Sequence, residues 1–207
     1  EGGLTLISSQ EWLERKGSVG RPLPNYTIEV RDDDGRLLPP GEVGTVWFRS
    51  TTGPATFEYY KDDAKTKEAH LEPGVFTLGD VGRVDDEGYV WLTDRKNDMI
   101  IAGGVNIYPA EVEQVLVTHP AVADAAVFGI PDEEWGESVK AAVELLQGHV
   151  PSAELERELI DFCRARLAHY KCPRSIDFEE RLPRHPTGKL YKRLLRERYW
   201  QGAGKLI

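Results

Sequence analysis

Two cysteines and one methionine are all the sulfur in this 207-residue chain. A disulfide framework needs more than that, which excludes the small, stapled secreted domains. Were the stretch from Cys163 to Cys172 a single helix, nine positions at ~100° each would put the two on opposite faces. They read as two reduced thiols in a cytoplasmic protein. Five scattered histidines (His70, His119, His149, His169 and His185) offer no pair at metal-ligand spacing, so a structural metal site is not expected. No apolar run approaches the ~18–20 residues that cross a bilayer. The start, Glu1-Gly2-Gly3-Leu4-Thr5, has neither the basic nor the apolar region of a signal peptide. Basic residues are outnumbered, 26 to 35, for a net charge of −9. That balance argues against a coat for nucleic-acid phosphates.

Forty per cent of the residues are hydrophobic, enough for a sizeable core. At ~100–200 residues per domain the length allows one large domain or two small ones. The texture favours two. Up to about residue 96 the chain alternates short β-branched and aromatic runs with Gly/Asp turns, which is hairpin grammar. Thr27–Arg31, Thr45–Arg49, Gly82–Val84 and Tyr89–Thr93 read as strands, with a brief helix at Asp62–Ala69. After Arg95 come a short strand at Met99–Ile101 and a helix opened by Pro109-Ala110-Glu111, where Pro suits the first turn and the acid faces the positive dipole end. Strands follow at Ala125–Phe128 and Val139–Leu145. Ser152 is placed to cap a helix carrying the stripe Leu155, Leu159, Phe162, Cys163 and Leu167. A last helix is predicted from near Lys189, burying Leu190, Leu194 and Leu195. The expected fold is therefore α+β: a β-rich piece over residues 1–96, then a compact α+β domain over 97–207 with a short sheet flanked by helices.

Three segments carry chemistry. In Leu78-Gly79-Asp80 a carboxylate follows glycine at the end of an apolar strand. It can accept from two vicinal hydroxyls, as on a ribose, or simply close a turn. Asp94-Arg95-Lys96-Asn97-Asp98 is polar throughout and lies where the texture changes, as an exposed inter-domain linker would. It runs into Gly103-Gly104, a pair that permits a tight turn or close approach of a ligand. Pro183-Arg184-His185-Pro186-Thr187-Gly188-Lys189 delivers a lysine at the mouth of a basic stretch. From Arg181 to Arg198 seven bases face only Glu197, an excess that suits either an anionic ligand or a solvated helix face. Ser50-Thr51-Thr52-Gly53-Pro54 only superficially looks like a phosphate loop, since no lysine or helix follows.

Together these segments resemble one family. Gly74-Val75-Phe76-Thr77-Leu78-Gly79-Asp80, Asp85-Asp86-Glu87-Gly88-Tyr89, the long run from Asp94 to Glu113, Gly129-Ile130-Pro131-Asp132 with Trp135-Gly136-Glu137, and Pro186-Thr187-Gly188-Lys189 are similar in order and spacing to the C-terminal portion of adenylate-forming acyl-CoA synthetases (fatty-acid–CoA ligases). The resemblance covers essentially the whole chain. It implies that residues 1–96 belong to the large AMP-binding domain, as part of a distorted barrel, and that 97–207 form the mobile C-terminal domain. It also implies a larger enzyme, whose phosphate loop and acyl pocket lie upstream and without which this chain is catalytically incomplete.

The family couples ATP-driven formation of an acyl-adenylate to transfer of the acyl group to CoA. The resemblance gives Lys189 the role of catalytic cation and Asp80 that of ribose ligand. Arg95 becomes a ribose or phosphate contact, and Glu1 a contact to nucleotide and Mg²⁺. Asn97 falls at the hinge, where Asp or Lys is more usual. Gly103 and Gly104 line the pantetheine route, with Lys171 or Arg174 near the CoA phosphates. Leu78 departs from the Thr common before Gly-Asp, and Cys172 stands where a base is commoner. Implied partners are a carboxylic acid, ATP, CoA and the upstream domain, in the cytoplasm and without nucleic acid. A carrier-protein-loading adenylation domain and a non-catalytic binding module of the same fold are the other readings.

Overall fold

The computed structural model describes residues 4–54 and 57–201. Glu1, offered above as a nucleotide and Mg²⁺ contact, lies outside the described residues. The polypeptide divides at the Asn97–Asp98 bond into two compact units.

In the first unit β1 (Thr5–Leu6) and β2 (Arg21–Pro22) form a small antiparallel ribbon around α1 (Ser9–Glu14). The Ser8 hydroxyl accepts from the Glu11 amide while the Glu11 carboxylate accepts the Ser8 amide, so both ends of a capping box are made. This helix was legible as Ser-x-x-Glu, yet its six residues carry too little apolar period to announce themselves. The rest is one open sheet: β3 (Tyr26–Arg31), β4 (Gly44–Ser50), α2 (Asp63–Glu68), β5 (His70–Glu72), β6 (Val75–Phe76), β7 (Asp80–Val84) and β8 (Val90–Arg95). Strand β4 pairs along its length with β3. Its other edge is shared, with β7 against Gly44 and Thr45 and β6 against Phe48 and Arg49. Strand order is β5-β6-β4-β7-β8, and no barrel closes among the described residues. Phe48 and Phe76 stack at 5.6 Å with Tyr26 edge-on to both, a geometry that aromatic quadrupoles favour.

The second unit runs β9 (Ile100–Ala102), β10 (Val105–Ile107), α3 (Pro109–Leu116), β11 (Val122–Asp132), β12 (Gly136–Leu145), α4 (Ala153–Arg164), β13 (Ser175–Glu179) and α5 (Lys192–Trp200). Strands β11 and β12 form a long antiparallel pair, and β13 joins β12 in parallel after the crossover through α4. Alternation along β11 sorts the packing. Ala125 and Val127 enter a core with Val112, Leu116, Leu159 and Cys163, while Ala126 and Phe128 meet Leu182 and Leu195 on the opposite face. Helices thus cover both faces, which is why these strands read as continuous apolar runs. Ser152 caps α4 through its hydroxyl to the Leu155 amide at 3.1 Å, and Pro109 opens α3.

Several expectations are corrected. The last helix begins at Lys192, because an Arg184–Leu190 bridge and the bond from Tyr191 N to Pro183 O hold the chain extended until then. Leu194 is consequently exposed and Leu195 buried. Asp94 and Arg95 complete β8, so the exposed linker shrinks to a 3-10 turn at Lys96–Asp98. Helix α4 ends at Arg164, and the chain returns through a second 3-10 turn at His169–Lys171. Cys163 and Cys172 therefore enter the same core rather than opposite faces, both as free thiols. Burial pushes the Cys163 thiol up to about 12, so it stays protonated and inert.

Candidate functional site

Asp80 is placed by a break between two strands. Thr77 turns inward, where its hydroxyl donates to the Val46 carbonyl at 2.7 Å and accepts from the Gly79 amide at 3.0 Å. Gly79 takes φ = 80°, a left-handed value that glycine adopts freely. The chain then re-enters the sheet as β7 with Asp80 at its first position, directly opposite Arg95 of β8. The Asp80 carboxylate lies 3.5 Å from Arg95 Nε, and the Lys96 amide donates to the Gly79 carbonyl at 2.8 Å. A half-buried acceptor and an exposed guanidinium are thus fixed side by side. Such a pair can take the two hydroxyls of a ribose and an adjoining phosphate oxygen. The Leu78 departure removes one hydroxyl here, while the neighbouring Thr77 spends its own on the kink. Asn97 is exposed in the 3-10 turn at the division between the units.

In the second unit Gly103 and Gly104 close the β9–β10 hairpin, with Ala102 paired to Val105. Their φ values of 58° and 78° are those of a two-residue turn with both central residues left-handed. The two glycines differ in use. A Cβ on Gly103 would lie 2.4 Å from the Trp135 ring, whereas one on Gly104 would meet nothing within 4 Å. The space at Gly103 is therefore filled by the indole, and only Gly104 is open. Beside this turn lies a cleft of about 250 Å³ whose walls include Gly103, Trp135, His169, Tyr170, Cys172 and Arg174. Asp132 organises its rim. Its carboxylate accepts from the Glu134 and Trp135 amides at 3.1 and 3.0 Å and pairs with Arg174 at 3.2 Å. The Trp135 amide above all holds the Asp132 carboxyl below its usual range. Lys171 is placed differently: both oxygens of Glu111 take its ammonium, at 2.7 and 2.9 Å. Trp135 was read only as part of a motif, and neither it nor Tyr170 was expected from sequence as a wall of this cleft. For Trp135 the signal was an aromatic set between Asp132 and Gly136.

The basic stretch turns out to be mostly compensated. Arg184 pairs with Asp124, Lys192 with Glu113, Arg193 with Glu197, Arg196 with Glu137 and Arg198 with Glu179. The expected local excess is thereby reduced to Arg181 and Lys189, the two of those seven bases without an ion pair among the described residues. Lys189 is exposed and sits just after Gly188, whose φ is 84°. An ammonium so displayed is available to an incoming anion.

Among the described residues no group of three or more His, Cys, Asp or Glu side chains is arranged to hold a metal ion. No helix there is long and apolar enough to cross a membrane.

The chain is similar to known proteins along most of its length. The family model for the AMP-binding enzyme C-terminal domain matches residues 111–189, and that for the AMP-binding enzyme matches residues 2–60. The long-chain-fatty-acid–CoA ligase FadD13 of Mycobacterium tuberculosis is 43% identical over 96% of this chain and 38% of its own length. The fatty acid–[acyl-carrier-protein] ligase ScoC of Streptomyces coeruleorubidus is 42% identical, over 92% of this chain and 36% of its own length. Among solved structures, the o-succinylbenzoate CoA synthetase MenE of Bacillus subtilis, in complex with the acyl-adenylate intermediate OSB-AMP, superposes with a TM-score of 0.80. It is 36% identical over 93% of this chain and 38% of that one. The chain thus spans well under half the length of the relatives it matches. With both AMP-binding models found in order along it, and CoA and acyl-carrier ligases similar over nearly all of it, the chain belongs to the adenylate-forming acyl-CoA/acyl-carrier ligase family.

Proposed function

We propose that this chain serves as the C-terminal part of an AMP-forming acid–CoA ligase. A carboxylate oxygen attacks the α-phosphorus of ATP, pyrophosphate leaves, and the CoA thiol then displaces AMP from the acyl-adenylate. The observation that carries this reading is the ammonium of Lys189, without an ion pair among the described residues and displayed on its own loop while most of the surrounding basic residues are paired. In the first step an anion approaches another anion, and a cation held between them stabilises the transition state. Asp80 takes the ribose hydroxyls and Arg95 a ribose or phosphate oxygen. Gly104, Gly103 and Arg174 border the CoA route along the cleft, where aromatic walls suit a base and the guanidinium suits a phosphate. Lys171, the other base offered for the CoA phosphates, has its ammonium taken by Glu111 and is not among the residues that line the cleft, so Arg174 is the better placed of the two. Asn97 is the hinge about which the C-terminal domain turns between the two steps.

Mg²⁺ neutralises ATP phosphates when bound, and one or two carboxylates beside those phosphates suffice to hold it. Its ligands are assigned to the upstream domain and to Glu1. The protein works in the cytoplasm, on a carboxylic acid of fatty-acid type. ScoC, at 42% identity, favours a second reading in which the acyl group passes to a carrier protein. Both are tested by assaying the full-length enzyme with a panel of acids and following AMP release with CoA, with a carrier protein, and with neither. AMP release stimulated by CoA supports the first reading, and stimulation only by carrier protein supports the second. Absence of any acid-dependent AMP release refutes both.

A further inference from the structure

The loop that carries Lys189 is fastened at several points. Its roots, Leu182 and Leu190, pack with Leu195 on the α5 face of the sheet. Inside the loop, His185 N donates to Lys189 O and Gly188 N to His185 O, each at 2.8 Å. His185 stacks on Tyr191 with ring centroids 4.0 Å apart. Two carboxylates hold it to the sheet from directly paired positions of β11 and β12, Asp124 and Glu144. Glu144 accepts the Leu182 amide at 3.1 Å, and Asp124 pairs with Arg184. The second arm of the same guanidinium donates to the Gly188 carbonyl at 2.6 Å. Arg184 therefore links the sheet to the peptide immediately before Lys189.

We infer that Arg184, anchored by Asp124, is the positioning residue for the Lys189 ammonium. The inference rests on the adenylation role proposed for Lys189. A lysine stem has four rotatable carbons and fixes its own charge poorly, so the backbone at its base must be fixed instead. A planar guanidinium with two opposed arms does that better than a single ammonium could. Because Asp124 neutralises Arg184, the strap adds no competing cation and leaves the positive charge at Lys189. An exposed ion pair contributes little to stability. Packing at Leu182 and Leu190 holds the fold without it.

The test compares Arg184→Ala, Asp124→Asn, their double variant, Arg184→Lys and Lys189→Ala in the full-length enzyme. Adenylation is read by ATP–pyrophosphate exchange and the second step by thioester formation from supplied acyl-adenylate. Each single brace variant should lower adenylation roughly 10- to 100-fold, the scale for misplacing a catalytic group by about 1 Å. The double variant should be no worse than the poorer single one, since the two residues act as a unit. Arg184→Lys should fall between wild type and Arg184→Ala. The second step and the melting temperature should be unchanged, and trypsin should cut after Lys189 faster in Asp124→Asn than in wild type. Wild-type adenylation in Arg184→Ala, with Lys189→Ala inactive, overturns the positioning role and leaves the Lys189 assignment standing. Equal loss of both half-reactions, or of stability, shows a structural role instead and overturns it. Full adenylation in Lys189→Ala refutes the underlying assignment, and the inference falls with it.

Discussion

Asp80 and Arg95 face each other from neighbouring strands of a sheet, each charge beside its opposite, whereas Lys189 stands on a loop with no ion pair among the described residues. The first arrangement suits a receptor. Its groups are held by ladder hydrogen bonds, and a ligand with both hydroxyls and a phosphate satisfies them without leaving a charge exposed. The second suits a group that acts on charge developing elsewhere, because a cation already neutralised would have nothing left to offer a transition state. The difference lies less in which residues are charged than in what each charge touches.

The strongest way to break this contrast is at the linker. Asn97→Pro, which locks φ near about −65°, should abolish overall turnover while sparing one half-reaction measured alone. Undiminished turnover would remove Asn97 from the hinge role. Next in size, Lys189→Ala should reduce adenylation by roughly 10²–10³, the loss expected for one preorganised donor, and leave thioester formation from supplied acyl-adenylate nearly intact. Equal damage to both steps would make the lysine structural. Asp80→Ala should raise KM for ATP by about 10- to 100-fold, matching the ~1.5–3 kcal/mol of hydrogen bonds to a charged group. If kcat alone fell with KM unmoved, the receptor half of the contrast would be lost.

The smallest effect concerns a carboxylate that, unlike Lys189, is fully engaged. Glu11 is held at about 2, well below its usual 4.5, by the Ser8 hydroxyl first, then by the Tyr89 hydroxyl and the Ser8 amide. Its folded value is depressed, so the stabilisation is complete above about pH 4.5 and drains away as pH falls toward 2. Glu11→Gln should lose that small contribution at neutral pH, converge with wild type near pH 2 and so flatten the acid limb in between. Acid titration of both proteins by circular dichroism measures it, and identical curves would show the capping box to be energetically silent.

Much of the second unit was legible, because its helices announce themselves locally. Pro109 and Ser152 mark helix starts by chemistry that acts within one turn. The 3.6-residue period through Val112, Val115 and Leu116 is likewise a near-neighbour property. Strand β13 was missed, since Ser175–Glu179 becomes a strand only by joining β12 after a helical crossover. The start of α5 was misplaced for a similar reason. The bonds that keep Leu190 and Tyr191 extended reach back to Pro183 and Arg184, which a helical pattern does not see. That Trp135 lies over Gly103, leaving Gly104 the more open of the pair, was not legible either, because the indole approaches from another loop.

Sequence alone determined the family, because motifs such as Leu78-Gly79-Asp80 and Thr187-Gly188-Lys189 are contiguous and their order survives in one dimension. It also determined where helices start, through caps and periods that act over a few residues. Tertiary structure decided which charges are free. The basic stretch before and within α5 looked uniformly cationic, yet Glu113, Glu137 and Glu179, distant along the chain, cancel Lys192, Arg196 and Arg198. Electrostatic interaction depends on distance through space, and folding is what sets those distances.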